Sequence, residues 1–307
     1  MKEKHVRELI QNDVVQIVKK PKKNVYSKII YYIAGIVISL IFIFPILYMF
    51  SASTKNPEEI ARDAGTMMMF VPNFANIGHM FDNYKIIFGE YNVGRYALNS
   101  LIYALVTIVL NILVNGLAAY AIAKIRFPGK RFFNFIIMFL IIVPVETSII
   151  PLYSICKFML GLKKAFSVLA IILPASISIF NIFLFIQFFS SIPKDFEEAA
   201  RMDGASTLRI FFKVILPLSK PILATVAVFC FIGVWNDYVW PNMVLADPSL
   251  KSLLPIQASL SSIQAEPNIK TGQVMASLVV TSIPIFIVYI AAQKYIVKGF
   301  GAGGLKL

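Results

Sequence analysis

Six long, nearly uninterrupted apolar stretches set the pattern of this chain: residues 29–50, 97–123, 132–156, 166–190, 222–241 and 273–293. Each reaches the roughly 20 residues that a helix needs to cross a hydrocarbon layer about 30 Å thick. Inside such a layer the backbone must satisfy its own hydrogen bonds, so these stretches read as helices. The predicted fold class is all-α, a polytopic membrane protein with six transmembrane helices. The first stretch is followed by Ser51-Ala52-Ser53, which imitates a signal-peptidase site. It is longer than the roughly 7–15 residues of a cleaved segment, and we read it as a retained anchor.

Between the fourth and fifth stretches the pattern turns polar without becoming loose. Pro193 suits the first turn of a helix, and Asp195, Glu197 and Glu198 place negative charge against its positive end. Phe196, Ala199, Ala200 and Asp203 recur at helical spacing, and Gly204 is the residue best able to end that helix in a left-handed conformation. Ser206 then offers a cap for a second helix, Leu208 to Leu216, expected to stop at Pro217. Alanines on one face leave room for another protein's backbone. By spacing alone an ordinary interfacial helical hairpin fits equally well.

Composition agrees with the pattern: 58% of the 307 residues are hydrophobic and mean hydropathy is +0.75. Charge adds orientation, because Lys and Arg are retained on the cytoplasmic side of a bilayer. Residues 1–28, 124–131, 191–221 and 294–307 hold more than twice as many Lys and Arg as 51–96, 157–165 and 242–272. Both termini and the 191–221 loop are therefore expected in the cytoplasm. Topology and anionic lipid account for the net charge of +13, so no nucleic-acid partner is implied. Cys156 and Cys230 sit in different spans at different depths, and no disulfide is expected. His5 and His79 have no ligand-spaced neighbours, so neither a metal nor a catalytic constellation is expected. No phosphate-cradling GxxxxGK[ST] segment occurs, and the chain is not read as an enzyme.

Smaller features refine this. Val6, Leu9, Ile10, Val14, Ile17 and Val18 form a helical stripe in the basic tail, which either lies on the inner membrane face or is a mobile topogenic tail. Residues 51–96 read as an external loop with little core of its own. Asn99, Ser100, Asn111 and Asn115, with the small residues from Gly116 to Ala121, cluster on the second span and favour close helix packing over a substrate-lining role. Glu146, between Pro144 and Pro151, is a carboxylate well inside a span, about 22 Å from Arg131 on a straight helix. It either opens the helix or lines a translocation path. Asn236 and Asp237 end the fifth span in WNDYVWP, whose aromatics read as an interfacial belt sooner than a sugar platform. Residues 242–272 form a last external loop broken by prolines, and the glycine-rich tail GFGAGGLKL is not expected to continue a helix.

RFPGKR, VPVETSIIPLY, IPKDFEEAARMDGAS, ILPLSKPIL and WNDYVWP stand in the order seen in permease subunits of maltose-type carbohydrate ABC importers, which the chain resembles over most of residues 95–300. The tail departs from the family's usual ending, so the resemblance stops short of it. The resemblance implies a type I ABC importer permease fold. Its parts are a basic tail (1–28), a first helix with external loop (29–94), a transmembrane core (95–296) with coupling loop 191–221, and a C-terminal tail (297–307). It implies a heterodimer with a second permease, two ATPase subunits, an extracytoplasmic sugar-binding protein, and a bacterial inner or plasma membrane location. This chain would bind no cofactor, ATP being hydrolysed by the partners. Glu198, Ala199, Ala200, Asp203 and Gly204 would contact the ATPase, and residues 242–272 would reach toward the binding protein. Glu146, Asn236 and Asp237 are candidates for the path of a sugar, oligosaccharide or polyol derivative. The alternatives are a non-sugar cargo or an ion-coupled secondary transporter, for which the spans carry too few carboxylates.

Overall fold

The computed structural model describes residues 25–161 and 164–304. The amphipathic stripe expected in the first 24 residues lies outside them. The described chain divides into two units, one ending at Tyr48 and one beginning at Met49. The first is helix α1 (Val25–Ser53) up to that point, apolar on every side and exposed along most of its length.

The second unit carries the remaining helices: α2 (Pro57–Asp63), α3 (Asp82–Gly89), α4 (Val93–Lys124), α5 (Lys130–Leu140), α6 (Ile149–Leu160), α7 (Lys164–Ala175), α8 (Ile179–Ser191), α9 (Asp195–Met202), α10 (Thr207–Leu218), α11 (Lys220–Asn236), α12 (Val239–Val244), α13 (Ile256–Gln264) and α14 (Thr271–Gly304). Three of the six apolar stretches are helices long enough to span, α1, α4 and α14; two are bent pairs, and the fifth begins in α11, which is bent against the loop helix α10 in a third pair. The pairs are α5–α6 (99°), α7–α8 (43°) and α10–α11 (84°).

The bends are where straight-helix expectations fail. The stretch 132–156 breaks at Pro144, which has no N–H to give the ladder and takes an extended ψ of 130° before the 3-10 turn Val145–Ser148. The depth counted for Glu146 along a straight helix therefore does not hold. The α7–α8 break is closed by a distant side chain. Asn115 of α4 donates from Nδ2 to the Ser176 carbonyl (3.1 Å) and accepts the Ser178 N–H (3.2 Å), satisfying backbone groups the bend sets free. The second helix of the polar loop runs past Pro217 to Leu218. A π turn at Phe211–Ile215 precedes the proline, with the Leu216 N–H reaching the Phe211 carbonyl, and the chain turns at Ser219 instead.

Helix α4 lies at the centre, packed against α8, α11, α13 and α7, while α11 also packs on α14. Three of its polar residues tie it to the segment after residue 241. Asn99 Nδ2 donates to the Ser252 and Leu254 carbonyls (3.0 Å each), Tyr103 Oη donates to the Leu253 carbonyl (2.8 Å), and Ser100 Oγ accepts the Ile256 N–H (2.8 Å). These bonds fasten the 242–272 segment, which is folded and not a loose loop: Leu250, Leu254, Ile256, Ala258 and Ile263 are buried.

Residues 51–96 likewise have a core. Asn56 and Glu59 form a reciprocal cap on α2. Lys55 and Asp63 form a buried pair (2.9 Å), and Ile87 of α3 is fully buried as α3 packs on α14. Hydrogen bonds from Lys55 and then Arg62 hold the Asp63 carboxyl below its usual range. The two tryptophans of WNDYVWP are buried and so are not part of an interfacial belt, whereas Tyr238 is exposed. Trp235 Nε1 donates to the Thr281 carbonyl (3.0 Å) and Trp240 Nε1 to the Ala170 carbonyl (2.9 Å), so both indoles tie spans together from inside. Helix α14 continues to Gly304, through the glycines expected to end it. No proline interrupts it there, and each glycine costs an already nucleated helix only about 1 kcal/mol.

Candidate functional site

Two regions collect the residues singled out by sequence. The first is the loop around α9. Asp195, Glu197 and Glu198 occupy its first turn. Its end is a Schellman motif: the Gly204 N–H bonds to the Arg201 carbonyl, the Ala205 N–H to the Ala200 carbonyl, and Gly204 takes φ +76°. Ser206 caps α10 by accepting the Arg209 N–H. Glu198, Ala199, Asp203 and Gly204 are exposed and Ala200 is half-buried. Beside them Met202 is 89% and Leu208 61% exposed, an apolar edge on a polar helix.

Sequence reasoning passed over the residue that fixes this loop in place. Glu197, not Glu198, turns inward, and its Oε1 lies 2.9 Å from Lys124 Nζ at the end of α4, both side chains over nine-tenths buried. Lys124 Nζ also donates to the Ile192 carbonyl (2.7 Å). One face of α4 grips the loop at intervals of four residues: Gly116 against the Phe211 ring, Tyr120 stacked obliquely on Phe211 (5.4 Å), and Lys124 on Glu197. Phe185, Phe189, Ile210 and Ile215 complete a dry cluster around them. The i, i+4, i+8 spacing of Gly116, Tyr120 and Lys124 was readable in the sequence, but their partners lie about 70 or more residues away. Lys124, Arg126, Lys130, Lys194 and Arg201 border a groove of about 490 Å³ next to the pair.

The second region is a cavity of about 570 Å³. Glu146, exposed on the 3-10 turn after Pro144, lines it together with Asn236 and Asp237 at the end of α11, with Val239, Trp240, Ile149 and Ile177 among the other lining residues. The three candidates for a path therefore border one cavity. Asp237 also accepts the Trp240 N–H (3.2 Å), which starts α12. No cluster of His, Cys, Asp and Glu suited to a metal occurs among the described residues. Cys156 and Cys230 are free and buried.

Comparison with known proteins agrees with this architecture. The family of binding-protein-dependent transport system inner membrane components matches residues 117–301. The chain is 32% identical over 272 residues to the arabinooligosaccharides transport system permease protein AraQ of Halalkalibacterium halodurans, covering 88% of this chain and 93% of that one. It is 32% identical over 267 residues to the diacetylchitobiose uptake system permease protein NgcG of Streptomyces coelicolor (86% and 84%). It is also 32% identical over 260 residues to the sn-glycerol-3-phosphate transport system permease protein UgpE of Yersinia pestis (85% and 91%). Among solved structures, a chain of a bacterial ABC transporter that imports the acidic polysaccharide alginate superposes with a TM-score of 0.74 at 28% identity, covering 90% of this chain and 99% of that one. A match over more than half its length, on a helical frame of this kind, makes the chain a member of the binding-protein-dependent transport system inner membrane components, a multi-pass permease subunit of an ABC importer and not an enzyme.

Proposed function

We propose that this permease imports a sugar, an oligosaccharide or a related polyol derivative, with the cavity at Glu146, Asn236 and Asp237 as its share of the translocation path. The observation that carries this reading is the convergence of those residues, far apart in sequence, on one cavity walled by Trp240. Carboxyl and amide groups beside an indole suit hydroxyl-rich cargo. The relatives' names, arabinooligosaccharides, diacetylchitobiose and sn-glycerol-3-phosphate, support the same class.

Helix α9 is the coupling element of this reading. Glu198, Ala199, Ala200, Asp203 and Gly204, with the exposed apolar edge at Met202 and Leu208, seat in an ATPase subunit on the cytoplasmic side. ATP closes the ATPase dimer, α9 moves as a lever, and the permease pair opens outward to receive cargo from an extracytoplasmic binding protein. The second permease is a different chain, two ATPase copies complete the importer, and both termini of this chain are cytoplasmic. The cytoplasmic face of α9 is supported by the excess of Lys and Arg in its loop and in the 124–131 turn. Residues 265–268 at the exposed tip beyond α13 are the surface offered to the binding protein.

The test is purification of the tagged chain from its native membrane, followed by ATP-dependent uptake by the recovered complex in proteoliposomes. Recovery of a second permease and an ATPase, with uptake of a saccharide driven by ATP, is the expected result. A chain that runs alone and takes up solute under an ion gradient without ATP overturns it.

A further inference from the structure

We infer that the RFPGKR turn and the start of α5 form a binding site for the headgroup of an anionic phospholipid, opening toward α9. The inference concerns the membrane around this permease and stands apart from the choice of cargo.

Between α4 and α5 the chain reverses within a few residues, and Gly129 takes φ +84° to do so. The turn is fixed from inside: Lys130 Nζ donates to the carbonyls of Ala123 (2.9 Å) and Ile125 (3.3 Å) at the end of α4. Outside it lies a depression of about 490 Å³ lined by Arg126, Phe127, Gly129, Lys130, Arg131 and Asn134, with three cations and no carboxylate. The groove beside α9 adjoins it, sharing Arg126 and Lys130 and bordered on the far side by Lys194 and Arg201. Of the two carboxylates bordering that groove, Glu197 is taken up by Lys124, and Glu198 is exposed. Arg126, Arg131, Lys194 and Arg201 are exposed and belong to none of the ion pairs among the described residues. Like charges gathered around one hollow repel, and an anion between them removes that cost. Charge that only fixes topology needs no common hollow.

The neighbouring surface says what carries the anion. Directly after Arg131, the side chains of Phe132, Phe135 and Phe139 are each more than half exposed along one stripe of α5, the first half of a bent span. Phe135 and Phe139 stack at 6.4 Å, and Phe127 from the turn meets Phe133 edge to face at 5.8 Å. Exposed apolar surface of this extent on a span belongs in hydrocarbon, so the boundary between lipid tails and headgroups runs at Arg131 and Phe132. Lipid phosphates lie at that boundary, within reach of guanidinium groups whose fork matches phosphate oxygens, while the tails lie along the phenylalanines. A free phosphate finds the cations but leaves the stripe unused. A zwitterionic lipid brings its own cation into a hollow that already holds three.

The test uses the tagged chain purified with the subunits that accompany it, titrated in detergent with phosphatidylglycerol and phosphatidylcholine of the same acyl chains and read by native mass spectrometry. Phosphatidylglycerol is expected to bind at least about tenfold more tightly, with the margin shrinking as salt rises. Equal binding overturns the inference. Arg126→Gln with Arg131→Gln is expected to bring the margin to about twofold or less. Lys157→Gln, in the last turn of α6 and outside the site, is expected to leave it unchanged. A margin that survives the double variant overturns the site; loss of an accompanying ATPase from that variant then gives these arginines to that subunit. Displacement of the lipid by inorganic phosphate, beyond that by chloride at equal ionic strength, also overturns it, because the ligand is then a free anion. Arg131→Gln alone, at an exposed position, is expected to lower the margin several-fold and serves if the double variant does not assemble.

Discussion

The loop around α9 and the cavity around Asp237 are both polar interruptions in an apolar chain, and they are built in opposite ways. In the loop, the buried charges are paired: Lys124 holds Glu197 and the Ile192 carbonyl, and aromatic rings fill the space behind them. In the cavity, Glu146 stands exposed and a broken helix leaves a void. The difference matches two mechanical demands. A lever of the kind proposed for α9 must not yield when pushed, and a close-packed joint with a paired charge suits it. A path of the kind proposed at the cavity must release what it binds, and polar groups left open to it suit that.

The sharpest way to break the contrast is at the joint. Glu197→Ala strands the Lys124 ammonium in a buried site and is expected to cost about 3–5 kcal/mol, read as a lower thermal midpoint of the purified complex and loss of uptake. The double variant Lys124→Met with Glu197→Leu is expected to recover most of that stability, since an apolar pair of similar volume removes the stranded charge. Gly116→Leu comes next. A Cβ there already meets Phe211 at 3.3 Å, so a larger side chain is expected to cost about 1–3 kcal/mol by overpacking, again in the thermal midpoint.

Gly204→Val separates rigidity from docking. A Cβ at Gly204 meets nothing within 4 Å, so the loss is the backbone strain of φ +76°, about 1–2 kcal/mol. Uptake is expected to fall far more than stability as ATP hydrolysis uncouples from transport; normal sugar-stimulated ATPase and uptake would count against the docking role of α9. In the cavity, Asp237→Asn keeps an acceptor for the Trp240 N–H, so a thermal midpoint within a few degrees of the parent is expected alongside reduced uptake. The smallest effect concerns pH. The Asp63 carboxyl is held low by Lys55 and Arg62, so its contribution is present above the ordinary carboxylate pKa of about 4 and lost as pH falls through the lower folded value. Hydrogen-exchange protection factors at residues 51–66, taken relative to the intrinsic rate at each pH, should fall below about pH 4 and stay constant from pH 5 to 7.

Much of the loop was legible because its signals are local. Acidic residues in the first turn, Gly204 at the left-handed position and the Ser206 cap each act within four residues of the chain, and each appears where the pattern put it. Pro217 misled because a proline ends a helix only where its missing N–H cannot be accommodated, and the π turn before it changes the ladder. Glu197 and Glu198 are adjacent and alike. Only the position of Lys124 decides that the first is buried and the second faces out.

By itself, the sequence determined six apolar segments, their helical character, and the polar hairpin between the fourth and fifth. These follow from the length of hydrocarbon a helix must cross and from capping chemistry that is complete within a few residues. Tertiary structure alone decided where two of those segments bend, that Asn115 closes one of the bends, and that Trp235 and Trp240 face inward. It also decided that Glu146, Asn236 and Asp237 border one cavity. The reason is the same in each case: a bend's freed backbone groups, an indole N–H and a cavity wall all depend on partners 46 to about 90 residues away, and periodicity carries no information about which distant residue will be beside them.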